Sequence, residues 1–272
     1  MPTLELPGAR LAYETTGRAS APALLLVPAG VATLRMWDAQ VDALAEDHLV
    51  VGYDPRGFGG TRHDEAVPFA NHADAIGLLD HLGIGAATLV GASRGGRIAL
   101  DTALAAPDRV RGVVTIGSGP SGAPELPLTD EEQRRFDEIE AIDLEQDAAR
   151  YMRLEAELWA VGSGRTAAAV DPEFLQRARA LNAPNVSHAA DDGTIVPLEP
   201  PAYDRLGDIH SPALVIVGEH DLSSELAAYE HLLAQLPDAT GVRLANTAHL
   251  PSVERPAEFR DILLEWLTAH GL

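Results

Sequence analysis

Neither cysteine nor lysine occurs among the 272 residues, and all 20 basic side chains are arginine. Without cysteine there is no disulfide, no thiolate nucleophile and no thiolate-held zinc or iron–sulfur cluster. Without lysine, Schiff-base and pyridoxal chemistry and lysine-tethered carriers are excluded as well. Aromatic residues make up only 5% of the chain. Its apolar runs stop after a few residues, far short of the roughly 20 that a membrane-spanning helix requires. The opening residues Met1-Pro2-Thr3-Leu4-Glu5-Leu6 have neither the basic nor the apolar region of a secretory signal and already alternate like a strand, so a cytoplasmic location is expected. Positive charge is scarce: against 41 acidic residues the 20 arginines leave a formal net charge of −21. Such a surface repels nucleic-acid phosphates and anionic lipid, so neither nucleic acid nor membrane is an expected partner. The charge itself reads as a solubility feature. Chemistry is left to Ser, Thr, Asp, Glu, His and Tyr.

What is present is a repeated strand–helix alternation. Apolar or alternating segments at 10–15, 22–28, 48–53, 86–91 and 111–117 read as strands, with helices near 35–46, 71–82 and 94–106. The continuous run Ala23-Leu24-Leu25-Leu26-Val27 is of the kind buried on both faces of a parallel sheet. After about residue 120 regular strands stop. Thr129-Asp130-Glu131-Glu132 fits a capping box and Asp171-Pro172-Glu173 an N-cap with proline at the first helical position, so 120–205 reads as a helical insertion. Alternation resumes with strands at 212–218 and 240–245 and helices near 223–236 and 256–270. The expectation is an α/β fold. Its core domain is 1–119 and 206–272, and a lid, 120–205, closes over one sheet edge.

Gly91-Ala92-Ser93-Arg94-Gly95 follows the apolar strand Ala87-Thr88-Leu89-Val90 and opens a helix. In so tight a turn a Cβ at either glycine would meet neighbouring backbone, and the Ser93 hydroxyl is left exposed at the strand end. The motif alone is a moderate signal; at a strand–helix junction it is a strong one for a nucleophile. The bland alternative is a glycine-rich turn whose serine merely caps the helix. A serine nucleophile needs a base, and ten histidines compete for that role.

With this elbow, the Asn246-Thr247-Ala248-His249 segment past the last strand, Gly218-Glu219-His220-Asp221 at the end of the strand before it, and Asp54-Pro55-Arg56-Gly57-Phe58-Gly59, the chain resembles the α/β-hydrolase superfamily along nearly its whole length. The resemblance implies a mostly parallel eight-stranded sheet flanked by helices, with the lid inserted after the sixth strand. It implies a triad running serine, acid, histidine in chain order: Ser93 as nucleophile, Asp221 as acid and His249 as base. Glu219 is the rival acid, and His220 a weaker candidate base. The oxyanion donors it implies are the backbone N–H groups of Val31 and Arg94. The family's usual His-Gly pair after the third strand is here Ala29-Gly30. The Arg94 side chain is expected to make an outward salt bridge, with a substrate carboxylate as the alternative partner. Asp54 and Arg56 are expected to pair with each other beneath the site. No nucleotide site is read into the glycines there, since a phosphate loop would need a lysine. No metal is expected at the His63 or His72 segments, and no cofactor.

Candidate pocket walls are Phe136, Tyr151, Met152 and Trp159 from the lid, with Met36 and Trp37 from below. Within the superfamily the chain is similar to 3-oxoadipate enol-lactonases and cofactor-free perhydrolases and esterases. Serine at 93 speaks against dehalogenases and epoxide hydrolases, which place a carboxylate there. The expected activity is therefore cleavage of a small-molecule ester, lactone or related acyl bond. Acyl transfer or carbon–carbon bond hydrolysis on the same triad is the alternative, and a hydrolase-fold receptor with slow or no turnover the non-enzymatic one. A homo-oligomer is compatible with the sequence but not argued by it.

Overall fold

The computed structural model describes residues 1–191 and 193–272. Its elements in chain order begin with β1 (Thr3–Leu6), β2 (Ala9–Thr16), β3 (Ala23–Val27), α1 (Asp38–Leu44), β4 (Leu49–Tyr53), β5 (Arg62–His63) and α2 (Asn71–His81). They continue with β6 (Ala87–Ala92), α3 (Arg94–Ala105), β7 (Val110–Ile116), α4 (Asp130–Glu140), α5 (Leu144–Val161) and α6 (Pro172–Asn182). The chain closes with β8 (Ala213–Gly218), α7 (Ser223–Gln235), β9 (Ala239–Leu244), α8 (Pro251–Glu254) and α9 (Pro256–His270).

One sheet runs β1-β2-β4-β3-β6-β7-β8-β9. From β4 to β9 all neighbours are parallel, and β1 and β2 join antiparallel at one edge. The two-residue β5 pairs with β2 and adds a ninth strand, so the long insertion follows β7. The sheet is thus the expected one with a short extra strand that two residues of sequence cannot signal.

The apolar strands are explained by burial on both sides. Leu25, Leu89, Val113 and Val215 pack with Leu78 and Leu79 of α2, Ile98 of α3 and Leu232 of α7. Leu24, Leu26, Val90, Val114 and Ile216 pack on the opposite face with Leu44 of α1 and Phe259 and Leu263 of α9. Each such leucine withdrawn from water contributes about 1.5–3 kcal/mol, which is why continuous rather than alternating apolar strands occur here.

Between β7 and β8 the helices begin where their caps dictate. Thr129 accepts from the Glu132 amide while the Glu132 carboxylate accepts from the Thr129 N–H at 2.9 Å, a reciprocal box that starts α4. Asp171 caps α6 with Pro172 in its first turn. Glu132 also accepts from the N–H and hydroxyl of Ser223 at 2.8 and 2.6 Å, tying the start of α4 to the start of α7. Among the described residues no helix is long and apolar enough to cross a membrane.

Candidate active site

The segments that follow β3, β4, β6 and β9 converge on a cavity of about 320 Å³ whose walls include Ser93 and His249. Ser93 sits between β6 and α3 with φ 51° and ψ −116°, a positive φ that a non-glycine residue adopts only when its surroundings enforce it. The enforcement is visible. The Ser93 N–H donates to the Ile116 carbonyl at 2.7 Å, and its own carbonyl accepts from the Ser118 hydroxyl at 2.6 Å. A Cβ on Gly91 would overlap the Gly95 carbonyl, and one on Gly95 the Val27 carbonyl. Ser93 precedes α3 but makes no side-chain capping bond, so capping does not explain the serine.

Asp221 and His249 form a bonded pair. His249 Nδ1 lies 2.9 and 3.0 Å from the two Asp221 carboxylate oxygens, and both residues are buried. A carboxylate can only accept, so Nδ1 carries the proton and donates it to Asp221, leaving the Nε2 lone pair free. Asp221 Oδ1 also accepts from the Leu222 N–H at 2.8 Å. Burial opposes a charged His249, but the Asp221 charge, the hydrogen bond to it and the Glu225 charge outweigh burial and raise its pKa above the ordinary 6.5. Glu225, in the first turn of α7, is itself pushed up to about 7, chiefly by burial, with the Asp221 charge adding to the rise and His249 opposing it. The rival acid Glu219 instead accepts from the Asn246 N–H at 3.1 Å and makes no bond to His249.

The His249 loop is held by contacts that sequence reasoning missed. Arg165 donates to the carbonyls of Ala160, Val161 and Asn246 and pairs with Glu254 at 2.7 Å, both residues being partly buried. Glu254 in turn accepts from the Ala248 N–H at 3.0 Å, next to His249. Gly117 is a second omission: it has φ 51°, and a Cβ there would lie 2.7 Å from Asp221 Oδ2 and 2.9 Å from His249 Nδ1. Its only sequence signal was its place after β7. The Trp159 ring lies 4.1 Å from that of His249, centroid to centroid, and covers it.

Of the remaining sequence candidates, Val31, Arg94, Tyr151, Met152 and Trp159 line the cavity. Among the described residues neither the Val31 nor the Arg94 N–H is taken by a backbone acceptor. Met36 and Trp37 do not reach the cavity. Both are fully buried; Met36 sulfur accepts from the Ala29 N–H and Trp37 packs on Phe259, because the short 3-10 turn Leu34–Trp37 directs them into the core. Phe136 packs edge-on against Trp159 at 6.0 Å, one layer behind the wall.

Two further expectations are corrected. Asp54 and Arg56 do not pair: the Asp54 carboxylate accepts from the N–H groups of Leu34 and Gly60 at 2.7 and 2.8 Å. Arg56 instead makes a two-pronged pair with Asp74 of α2 at 2.7 and 2.8 Å. Nor does Arg94 make an outward salt bridge. Its guanidinium lies over the Phe58 ring, 4.0 Å from the centroid, and faces the cavity. Among the described residues no three His, Asp or Glu side chains are grouped to hold a metal ion.

The chain belongs to the α/β hydrolase fold family, whose model matches residues 22–256. It is 25% identical to 3-oxoadipate enol-lactonase 2 of Acinetobacter baylyi over 94% of this chain and 92% of that protein. It is 29% identical to a 2-hydroxy-6-oxononadienedioate/2-hydroxy-6-oxononatrienedioate hydrolase of Burkholderia vietnamiensis, over 95% of this chain and 91% of the relative. The crystal structure of an enol-lactonase from Burkholderia xenovorans superposes with a TM-score of 0.74 at 26% identity, covering 98% of this chain and all of that one (100%).

Proposed function

We propose that the protein is a serine hydrolase of small-molecule esters or lactones, with Ser93, Asp221 and His249 as its catalytic triad. The observation that carries this reading is the convergence, on one cavity, of a strained serine, an acid-oriented imidazole and two uncommitted backbone amides. Ser93 Oγ attacks the carbonyl carbon as His249 Nε2 takes its proton; Asp221 holds the tautomer and stabilises the imidazolium. The N–H groups of Val31 and Arg94 hold the oxyanion. His249 then protonates the departing alkoxide, and water, deprotonated by the same nitrogen, releases the acid and restores Ser93. The helices α4 to α6 act as a lid that supplies Tyr151, Met152 and Trp159. Incubation with short esters, lactones and thioesters, with the released acid measured by titration, tests the proposal. Turnover of at least one ester or lactone is expected, and none across the panel would refute it.

The titration of the pair gives a signed prediction. His249 must be neutral to accept the Ser93 proton, so kcat/KM on an uncharged ester rises with pH through a value above 6.5 and then levels off. Glu225→Gln removes a negative charge that favours the imidazolium, so the rising limb moves to lower pH, by up to about one unit. An unmoved limb would show that Glu225 does not act on His249.

A further inference from the structure

Beyond Arg94 lies a second cavity of about 230 Å³, sharing Gly57, Phe58, Arg94 and His188 with the first as a common wall. Among its described wall residues, donor side chains outnumber carboxylates. Arg94 is half-buried, and among the described residues it makes no side-chain hydrogen bond or ion pair; its only partner is the face of Phe58. Burial pushes its pKa down to about 10, leaving it a cation at neutral pH. Arg56 is 4% exposed and spends Nε and Nη2 on Asp74, but its buried Nη1 has no acceptor. His63 Nδ1 is likewise buried without a hydrogen-bond partner. The one carboxylate among the described wall residues, Asp191, is engaged at 2.7 Å by His188 Nδ1 and lies 3.8 Å from His63.

A buried donor left unmade costs more than a made bond returns, so two arginines lining one small cavity, with no acceptor among the described residues for Arg56 Nη1 or the Arg94 guanidinium, mark a place for a ligand. Stacking on Phe58 occupies one face of the Arg94 guanidinium and leaves its edge for a two-oxygen acceptor. We propose that this second cavity is a carboxylate subsite, in which Arg94 and Arg56 Nη1 hold a free carboxylate of the substrate while its ester or lactone carbonyl lies at Ser93. The substrate class is then a half-ester of a short dicarboxylic acid or a lactone acid. This rests on the proposed role of Ser93, and it assigns the departure from an outward salt bridge a purpose. The fixed guanidinium also accounts for a strongly acidic protein accepting an anion: at physiological salt the distant surface charges are screened beyond roughly 8 Å, whereas Arg94 is in contact.

The test uses a matched pair, para-nitrophenyl hydrogen glutarate and its neutral methyl ester, with the wild type, Arg94→Gln and Arg94→Lys. The backbone N–H of residue 94 survives both substitutions. The wild type is expected to prefer the anion in kcat/KM, and Arg94→Gln to reduce that preference by about 10- to 100-fold, mostly through KM. Arg94→Lys, which keeps the charge but not the fork, should retain part of it. Calorimetry with glutarate supplies a readout independent of turnover: binding to the wild type at least tenfold tighter than to Arg94→Gln. An unchanged substrate ratio, or equal glutarate binding by wild type and variant, would overturn the subsite. Labelling of Ser93 by a fluorophosphonate separates the cases: labelled enzyme without anion preference refutes the subsite alone, whereas unlabelled enzyme that still binds glutarate through Arg94 refutes the hydrolase mechanism alone.

Discussion

Replacing Ser93 by alanine should lower turnover on any ester substrate by about a million-fold, the scale at which single triad members act in serine hydrolases. In the proposed mechanism the hydroxyl forms the covalent intermediate, and the chain has no cysteine or lysine to stand in for it. His249 is held by Asp221 and covered by Trp159. The fold should not notice the change. Ser93 makes no side-chain cap to α3, and alanine suffers the same positive φ that serine does. Initial rates on a chromogenic ester, with thermal melts of both proteins, check this. A variant within a hundredfold of wild type, or one whose loss merely follows a lowered melting temperature, would contradict it.

Asp221→Asn should cost about four orders of magnitude in kcat, because an amide cannot stabilise the imidazolium and invites the wrong tautomer. The position is unforgiving. Asp221 is fully buried, receives His249 Nδ1 on both oxygens and takes the Leu222 N–H on one, so no water can substitute for a lost acceptor. Glu219→Gln, two residues earlier, should stay within about tenfold of wild type, since its exposed carboxylate only accepts from the Asn246 N–H. The two variants, compared at saturating substrate, discriminate between the acids. A collapse in Glu219→Gln with Asp221→Asn left active would reverse the assignment.

The difference between these two acids shows what the sequence could and could not reveal. Ser93 stands out because the apolar run before it reads as a strand and the turn opens a helix, whereas Asp221 and His249, three and five residues past the ends of β8 and β9, are assigned only through the resemblance to α/β-hydrolases. The helix starts at Thr129 and Asp171 were legible for a similar local reason, a cap three or fewer residues from its partner amide. Pairings between distant elements were not. Arg56 ignores its neighbour Asp54 because that carboxylate is already consumed by two backbone N–H groups, and it reaches α2 instead. Arg165 and Glu254 are 89 positions apart, so no spacing rule joins them, yet they fix the loop that carries His249. Met36, Trp37 and Phe136 illustrate the same limit for apolar residues, whose pattern marks burial but not which cavity or core they enter. Arg94 was flagged by its place beside the nucleophile, but its direction depended on Phe58, 36 positions earlier, which offers the ring on which it lies.

The most direct test of the account is reaction of the folded protein with a fluorophosphonate followed by mass analysis of its peptides. A single adduct is predicted, on the peptide containing Ser93, absent from Ser93→Ala and lost when the protein is denatured beforehand. No adduct on folded protein, or an adduct on another residue while Ser93 stays free, would contradict it.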